Sequence, residues 1–139
     1  MIFVVDFGSQ TAHLIARRVR ELGAAVELIH PEVALQEIRK KKPSGIIFSG
    51  GPSSVYQKGS PMIDKKIFSL DIPILTICYG FQLTAHLLGG KVISGKKEYG
   101  PSQFKIQNSK FKITEGLPKQ FTVWMSHGDE IVKLPKGFE

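Results

Sequence analysis

The sequence predicts a doubly wound α/β fold with a mostly parallel sheet and a small mixed or antiparallel β extension. Two observations carry that prediction. Short apolar, β-prone runs alternate with segments of helical period up to Gly89-Gly90, and the pattern then gives way to shorter strand-like pieces. Strands that alternate with helices imply right-handed crossovers, and in such sheets ligands gather at the carboxyl ends of the strands.

Ile2 to Val5 is a continuous apolar run closed by Asp6-Phe7-Gly8-Ser9, the form of a strand buried on both faces and followed by a turn. Leu14, Ile15, Val19 and Leu22 then recur at helical spacing, and Gly23 stands where a C-terminal cap belongs. The unit repeats, with Ala25 to Ile29 as a strand and Val33 to Lys40 as a helix. Gly45 to Phe48 forms the third strand and opens into Ser49-Gly50-Gly51-Pro52. Pro61 to Leu70 is expected to be a helix, followed by Ile72 to Ile77 as the fourth strand and Phe81 to Leu88 as a helix ended by Gly89-Gly90. Lys91 to Ser94, Gln103 to Gln107 and Phe121 to Met125 read as strands of the extension, and Leu134 to Glu139 is loop-like. A strand-rich ending with no closing helix is expected to leave one sheet face thinly covered. Residues 1–139 are therefore read as a single domain, incomplete at its C-terminus.

A chain of 139 residues fits one compact domain. Its 42% hydrophobic and 22% charged residues lie in the globular range. The longest apolar runs fall far short of the ~20 residues that cross a bilayer, and Met1 to Asp6 lacks the form of a secretory signal. A cytoplasmic protein with no membrane partner is the expectation. The net charge of +7 is spread over short clusters such as Lys40-Lys41-Lys42 and Lys96-Lys97. No basic stripe interleaved with stacking aromatics is visible, so no nucleic-acid partner is expected.

The single cysteine cannot form an internal disulfide and is either an inert buried residue or a nucleophile. Its setting decides between them. In Thr76-Ile77-Cys78-Tyr79-Gly80-Phe81-Gln82 it stands where a strand gives way to a helix, the arrangement of a nucleophile elbow. A thiol at a helix N-terminus meets the positive end of the macrodipole, which favours thiolate. The same turn aims the Tyr79 N–H to where a tetrahedral oxyanion would form. A second donor is expected from the glycine loop Ser49 to Ser53, because adjacent parallel strands end side by side and paired glycines allow close backbone approach.

Six segments together resemble the class I glutamine amidotransferase domain of the GMP synthetase family. They are Asp6 to Gln10, Ile15 to Glu21, Ser49 to Val55, Cys78 to Gln82, Glu98-Tyr99-Gly100 and Trp124 to Asp129, in that order over nearly the whole chain. The resemblance implies a flavodoxin-like sheet and hydrolysis of glutamine through a thioester at Cys78. The ammonia would pass to ATP-activated xanthosine monophosphate on a synthetase (ATP-pyrophosphatase) domain, fused or separate. It further implies Gly51 and Tyr79 as oxyanion-hole N–H donors, with Ser53, Gln82, Ser126, His127, Gly128 and Asp129 holding glutamine. No metal or cofactor is implied for this domain, and ATP and Mg belong to the synthetase domain.

The chain departs from the family pattern in three places. Thr76 stands where a glycine is usual before the nucleophile, and Lys97 replaces an expected arginine. The family's His-Pro-Glu segment, which supplies the general base and its carboxylate, does not follow Ser126 to Asp129 in these 139 residues. The base is therefore expected to be absent from this chain, which predicts little or no turnover. His30-Pro31-Glu32 imitates that segment, but it follows strand two. In the common 2-1-3-4-5 strand order it lies about 14 Å from strand four, at ~4.8 Å per strand, so a strand-to-helix turn is expected. His127 is expected to line the substrate pocket, and His13 and His86 to be packing or surface residues on helices. Two other readings remain open. One is the glutaminase domain of another synthetase, making anthranilate or aminodeoxychorismate, carbamoyl phosphate or CTP; the other is a non-catalytic module that senses glutamine or binds a partner.

Overall fold

The computed structural model describes residues 1–107 and 112–138, and Glu139 lies outside them. Four short parallel strands form one sheet: β1 (Ile2–Val5), β2 (Val26–Ile29), β3 (Gly45–Phe48) and β4 (Ile74–Thr76), in the order β2-β1-β3-β4. Each crossover carries a helical segment: α1 (Thr11–Glu21) after β1, α2 (Ala34–Lys41) after β2, and a single 3-10 stretch (Lys65–Ser69) after β3. A third helix, α3 (Tyr79–Leu87), leaves β4 directly. The doubly wound parallel sheet read from the sequence is the observed architecture.

Two helix ends show how local sequence sets these boundaries. Gly23, at φ 85°, follows α1 with its N–H on the Arg20 carbonyl, while the Ala24 N–H reaches Val19. Gly89, at φ 90°, ends α3 in the same way, with bonds from Gly89 to His86 and from Gly90 to Ala85. Glycine takes the left-handed turn at no steric cost, and the paired bonds satisfy carbonyls that the helix leaves unpaired.

Two apolar layers enclose the sheet. Phe3, Val5, Phe48 and Ile46 pack with Ile38 of α2, Ile67 of the 3-10 stretch and Leu83 of α3. The other face is covered by α1, where Ala12 and Ala16 press on Val4. That cover ends short of β4. Leu75 pairs with Ile47 on this same face and is 41% exposed, so the thinly covered face is found at the β3–β4 end of the sheet.

Three expectations about elements are corrected. Pro61 to Leu70 is not an α-helix: residues 60–64 are irregular and only Lys65–Ser69 turns, capped by the Asp64 carboxylate on the Lys66 N–H. β4 is an edge strand of three residues, shorter than Ile72 to Ile77 and partly exposed, not buried. The β extension is a single long antiparallel ribbon, β5 (Lys91–Lys105) with β6 (Gln120–Lys133), whose register slips between Ser94 and Glu98. Ser126 to Asp129, beyond the strand expected over Phe121 to Met125, belongs to β6 beside that slip. Gly95 and the lysines there carry no apolar alternation, which is why the sequence pattern broke the strand into pieces.

Candidate active site

The carboxyl ends of β1, β3 and β4 converge. The Ser49 hydroxyl accepts the Phe7 N–H at 3.1 Å and donates to the Gly50 carbonyl at 2.9 Å, so one buried side chain ties the turn after β1 to the glycine loop after β3. The Gly80 N–H reaches the Ser49 carbonyl at 3.1 Å and the Ile77 carbonyl at 3.0 Å, drawing the start of α3 onto the same loop. A side chain at Gly80 is impossible without movement, since its Cβ would lie 2.5 Å from the Phe48 Cβ and 2.9 Å from two carbonyl oxygens.

Cys78 stands at the turn with φ 48° and ψ −114°, a conformation that L residues rarely adopt. Holding a non-glycine residue there costs on the order of 1–3 kcal/mol, so the surrounding bonds must enforce it. The Cys78 carbonyl begins α3 by accepting the N–H groups of Phe81 and Gln82 at 2.9 and 3.0 Å. Tyr79 closes the turn from the other side: its ring is buried against Phe7, and its hydroxyl donates to the Pro61 carbonyl at 2.6 Å. Thr76 ends β4 opposite Phe48 with ordinary backbone, so the strain falls on Cys78 and not on Thr76.

The Cys78 thiol is free and accessible, on a cavity of about 660 Å³. Gly51, Ser53, Cys78, Tyr79, Gln82, Ser126, His127, Gly128 and Asp129 all line that cavity. Every site residue expected from the sequence is thus brought together, from segments up to about eighty residues apart. The glycine loop lies beside the nucleophile, since a Cβ on Gly50 would be 3.5 Å from that of Cys78. Gly51 is pressed onto the turn after β1, where a Cβ would meet the Phe7 carbonyl oxygen at 2.7 Å. As the first residue of α3, Tyr79 has an N–H with no intrahelical acceptor.

One expectation about the thiol is corrected. The cavity walls desolvate the sulfur and push its pKa above the ordinary thiol value, with no charged neighbour drawing it down. The helix N-terminus alone does not make this cysteine a ready thiolate.

His127 is held by both ring nitrogens. Nδ1 lies 3.0 Å from the Asp129 carbonyl oxygen and Nε2 lies 3.4 Å from a Glu98 carboxylate oxygen. Both contacts turn the ring toward the ribbon, and among the described residues no hydrogen bond joins it to Cys78. His30 sits at the far edge, after β2 and three strand positions from β4, exposed beside Glu32. His13 and His86 are exposed on α1 and α3. Among the described residues no group of three His, Cys, Asp or Glu side chains could hold a metal ion.

The cavity also takes in residues that were not expected at the site. Ser9 and Thr11 share a 2.7 Å hydroxyl contact at its edge, and Tyr99 of β5 stands at its rim. Tyr56, outside the cavity, donates to an Asp129 carboxylate oxygen at 2.6 Å. No sequence signal links two positions 73 residues apart.

Residues 3–139 match the family of class-I glutamine amidotransferases. The chain belongs to that family. It is 56% identical over 139 residues to a GMP synthase [glutamine-hydrolyzing] of Aquifex aeolicus, and 50% identical over 140 residues to one of Staphylococcus aureus. These alignments cover 99% and 100% of this chain, and the amidotransferase spans 27% of the length of either relative. Among solved structures, a GMP synthase subunit from Thermoplasma acidophilum is 34% identical with a TM-score of 0.78, over 97% of this chain and 68% of that one. A glutamine amidotransferase of Thermotoga maritima, 20% identical, shares the fold with a TM-score of 0.69, over 97% of this chain and 63% of that one. The resemblance drawn from six short motifs is therefore borne out at the level of family and fold. No helix among the described residues is long and apolar enough to cross a membrane.

Proposed function

We propose that this amidotransferase domain hydrolyses glutamine for GMP synthesis. The Cys78 sulfur attacks the side-chain amide carbon, and the Gly51 and Tyr79 N–H groups receive the negative charge that develops on the carbonyl oxygen. The carbon–nitrogen bond then breaks, the nitrogen leaves with an added proton as ammonia, and a thioester remains on Cys78. Water cleaves that thioester to release glutamate. Ser53, Gln82 and Ser126 to Asp129 hold the amino-acid end of the substrate.

The ammonia is delivered to xanthosine monophosphate activated by ATP, on a synthetase domain in cis or on a separate polypeptide in the cytoplasm. ATP and Mg bind there and not in this domain. The observation that carries the reading is the accessible Cys78 held in a strained strand-to-helix turn beside a glycine loop, on a cavity formed by all nine expected residues. Similarity to glutamine-hydrolysing GMP synthases over the whole chain supports the choice of partner reaction.

The thiol proton must be relayed to the departing nitrogen by a group that acts as base and then as acid, and among the described residues no histidine is hydrogen-bonded to Cys78. Ammonia release from glutamine is therefore expected to be at most stoichiometric with the chain, and lost in Cys78→Ser. Sustained turnover by residues 1–139 would refute the expectation that they lack the general base.

A further inference from the structure

At the cavity, two side-chain hydrogen bonds join the α/β layer to the β5–β6 ribbon, and both end on Asp129. Its carboxylate accepts the Tyr56 hydroxyl at 2.6 Å, and its carbonyl accepts the Gln82 amide at 3.2 Å. The same carbonyl lies 3.0 Å from His127 Nδ1. Asp129 is only 9% exposed, so its orientation is set by these partners and not by water.

We propose that Tyr56 is a positioning residue that fixes one wall of the glutamine pocket by locking Asp129, an inference that rests on the glutaminase reading above. Tyr56 does not line the cavity, so it acts through Asp129. Its own backbone is anchored, because Val55 is buried in the main core and a turn bonds the Gln57 N–H to the Ser54 carbonyl at 3.0 Å. A hydroxyl on a carboxylate forms a charge-assisted bond, stronger than a neutral one. Without it a nearly buried carboxylate loses a donor and turns toward solvent, which reshapes the wall that Asp129 gives the cavity. The glycine loop and the nucleophile stay in place, since Ser49 and Gly80 hold them independently. Substrate affinity should suffer, and the reactivity of the thiol itself should not.

The test compares Tyr56→Phe with the wild-type chain in two alkylations of Cys78: by the chloromethyl ketone analogue of glutamine, which needs the pocket, and by iodoacetamide, which does not. The expected result is a rise of about tenfold in KI for the chloroketone, with kinact and the iodoacetamide rate changed less than about twofold. Asp129→Asn should raise KI likewise, and the double variant should add little to either single change. Unchanged KI in Tyr56→Phe overturns the positioning role, as does an equal loss of iodoacetamide reactivity, which would mark general disruption. If the wild-type chain reacts with iodoacetamide yet shows no saturable reaction with the chloroketone, the glutaminase reading itself fails and takes this inference with it.

Discussion

Two influences meet at the Cys78 sulfur and oppose each other. The start of α3 favours the anion, while the cavity walls strip water from it and raise its pKa above the ordinary thiol value. An acid whose pKa is raised holds its proton to higher pH, so the thiolate fraction at neutrality is below that of a free cysteine. Alkylation of the chain by iodoacetamide should therefore climb with pH through the ordinary thiol range, near ~8.5, without levelling off below it. A plateau between about pH 6 and 7 would show that the dipole wins. This chemistry suits a site in which a separate general base activates the sulfur. Gly80 tests the elbow from its other side. Gly80→Ala forces a methyl group onto Phe48 and two carbonyl oxygens, and should destabilise the chain by about 1–3 kcal/mol or more in chemical denaturation. An unchanged midpoint would mean that α3 does not dock as described.

Among the elements, the glycine loop and the β5–β6 ribbon differ in how far the sequence revealed them. The parallel strands were legible because each is a short apolar run that packs at least partly against a core layer, and the glycines at 23 and 89 mark helix ends by their backbone needs. Cys78 was legible because a lone cysteine fell on a strand-to-helix corner beside Gly80. The ribbon was legible only in pieces, since it carries exposed aromatics such as Trp124, 76% exposed, and gives no clean apolar alternation. The segment between β3 and β4 misled for a similar reason: its apolar spacing suits a helix, but Pro61 and the Asp64 cap confine it to one 3-10 stretch. The Tyr56–Asp129 bond was invisible because long-range polar pairing leaves no local pattern. The glycine loop carries a prediction of its own. Gly51→Ala would drive a Cβ to 2.7 Å from the Phe7 carbonyl oxygen, so the loop must shift. Donors in an oxyanion hole are worth about 10²–10³ in rate, and kinact for the chloroketone should fall on that order while the iodoacetamide rate holds. Equal kinact would remove Gly51 from the proposed hole.

On the scale of the whole molecule, a four-stranded sheet with one face open over Leu75 supports a cavity on its carboxyl edge, and the ribbon closes that cavity from the far side. The arrangement gathers glycine loop, elbow and ribbon around one cavity, as expected where ligands bind at the carboxyl ends of parallel strands. The proposed function that joins them is to recognise glutamine and present its amide carbon to sulfur. That capacity is measured most directly by intact mass and peptide mapping after reaction with the glutamine chloromethyl ketone, with free glutamine as competitor. The expected outcome is a single adduct on Cys78 whose formation saturates with reagent, slows as glutamine is added, and is absent in Cys78→Ser although that variant unfolds at the same denaturant concentration. An adduct elsewhere, or labelling of Cys78 that glutamine leaves unaffected, would contradict it.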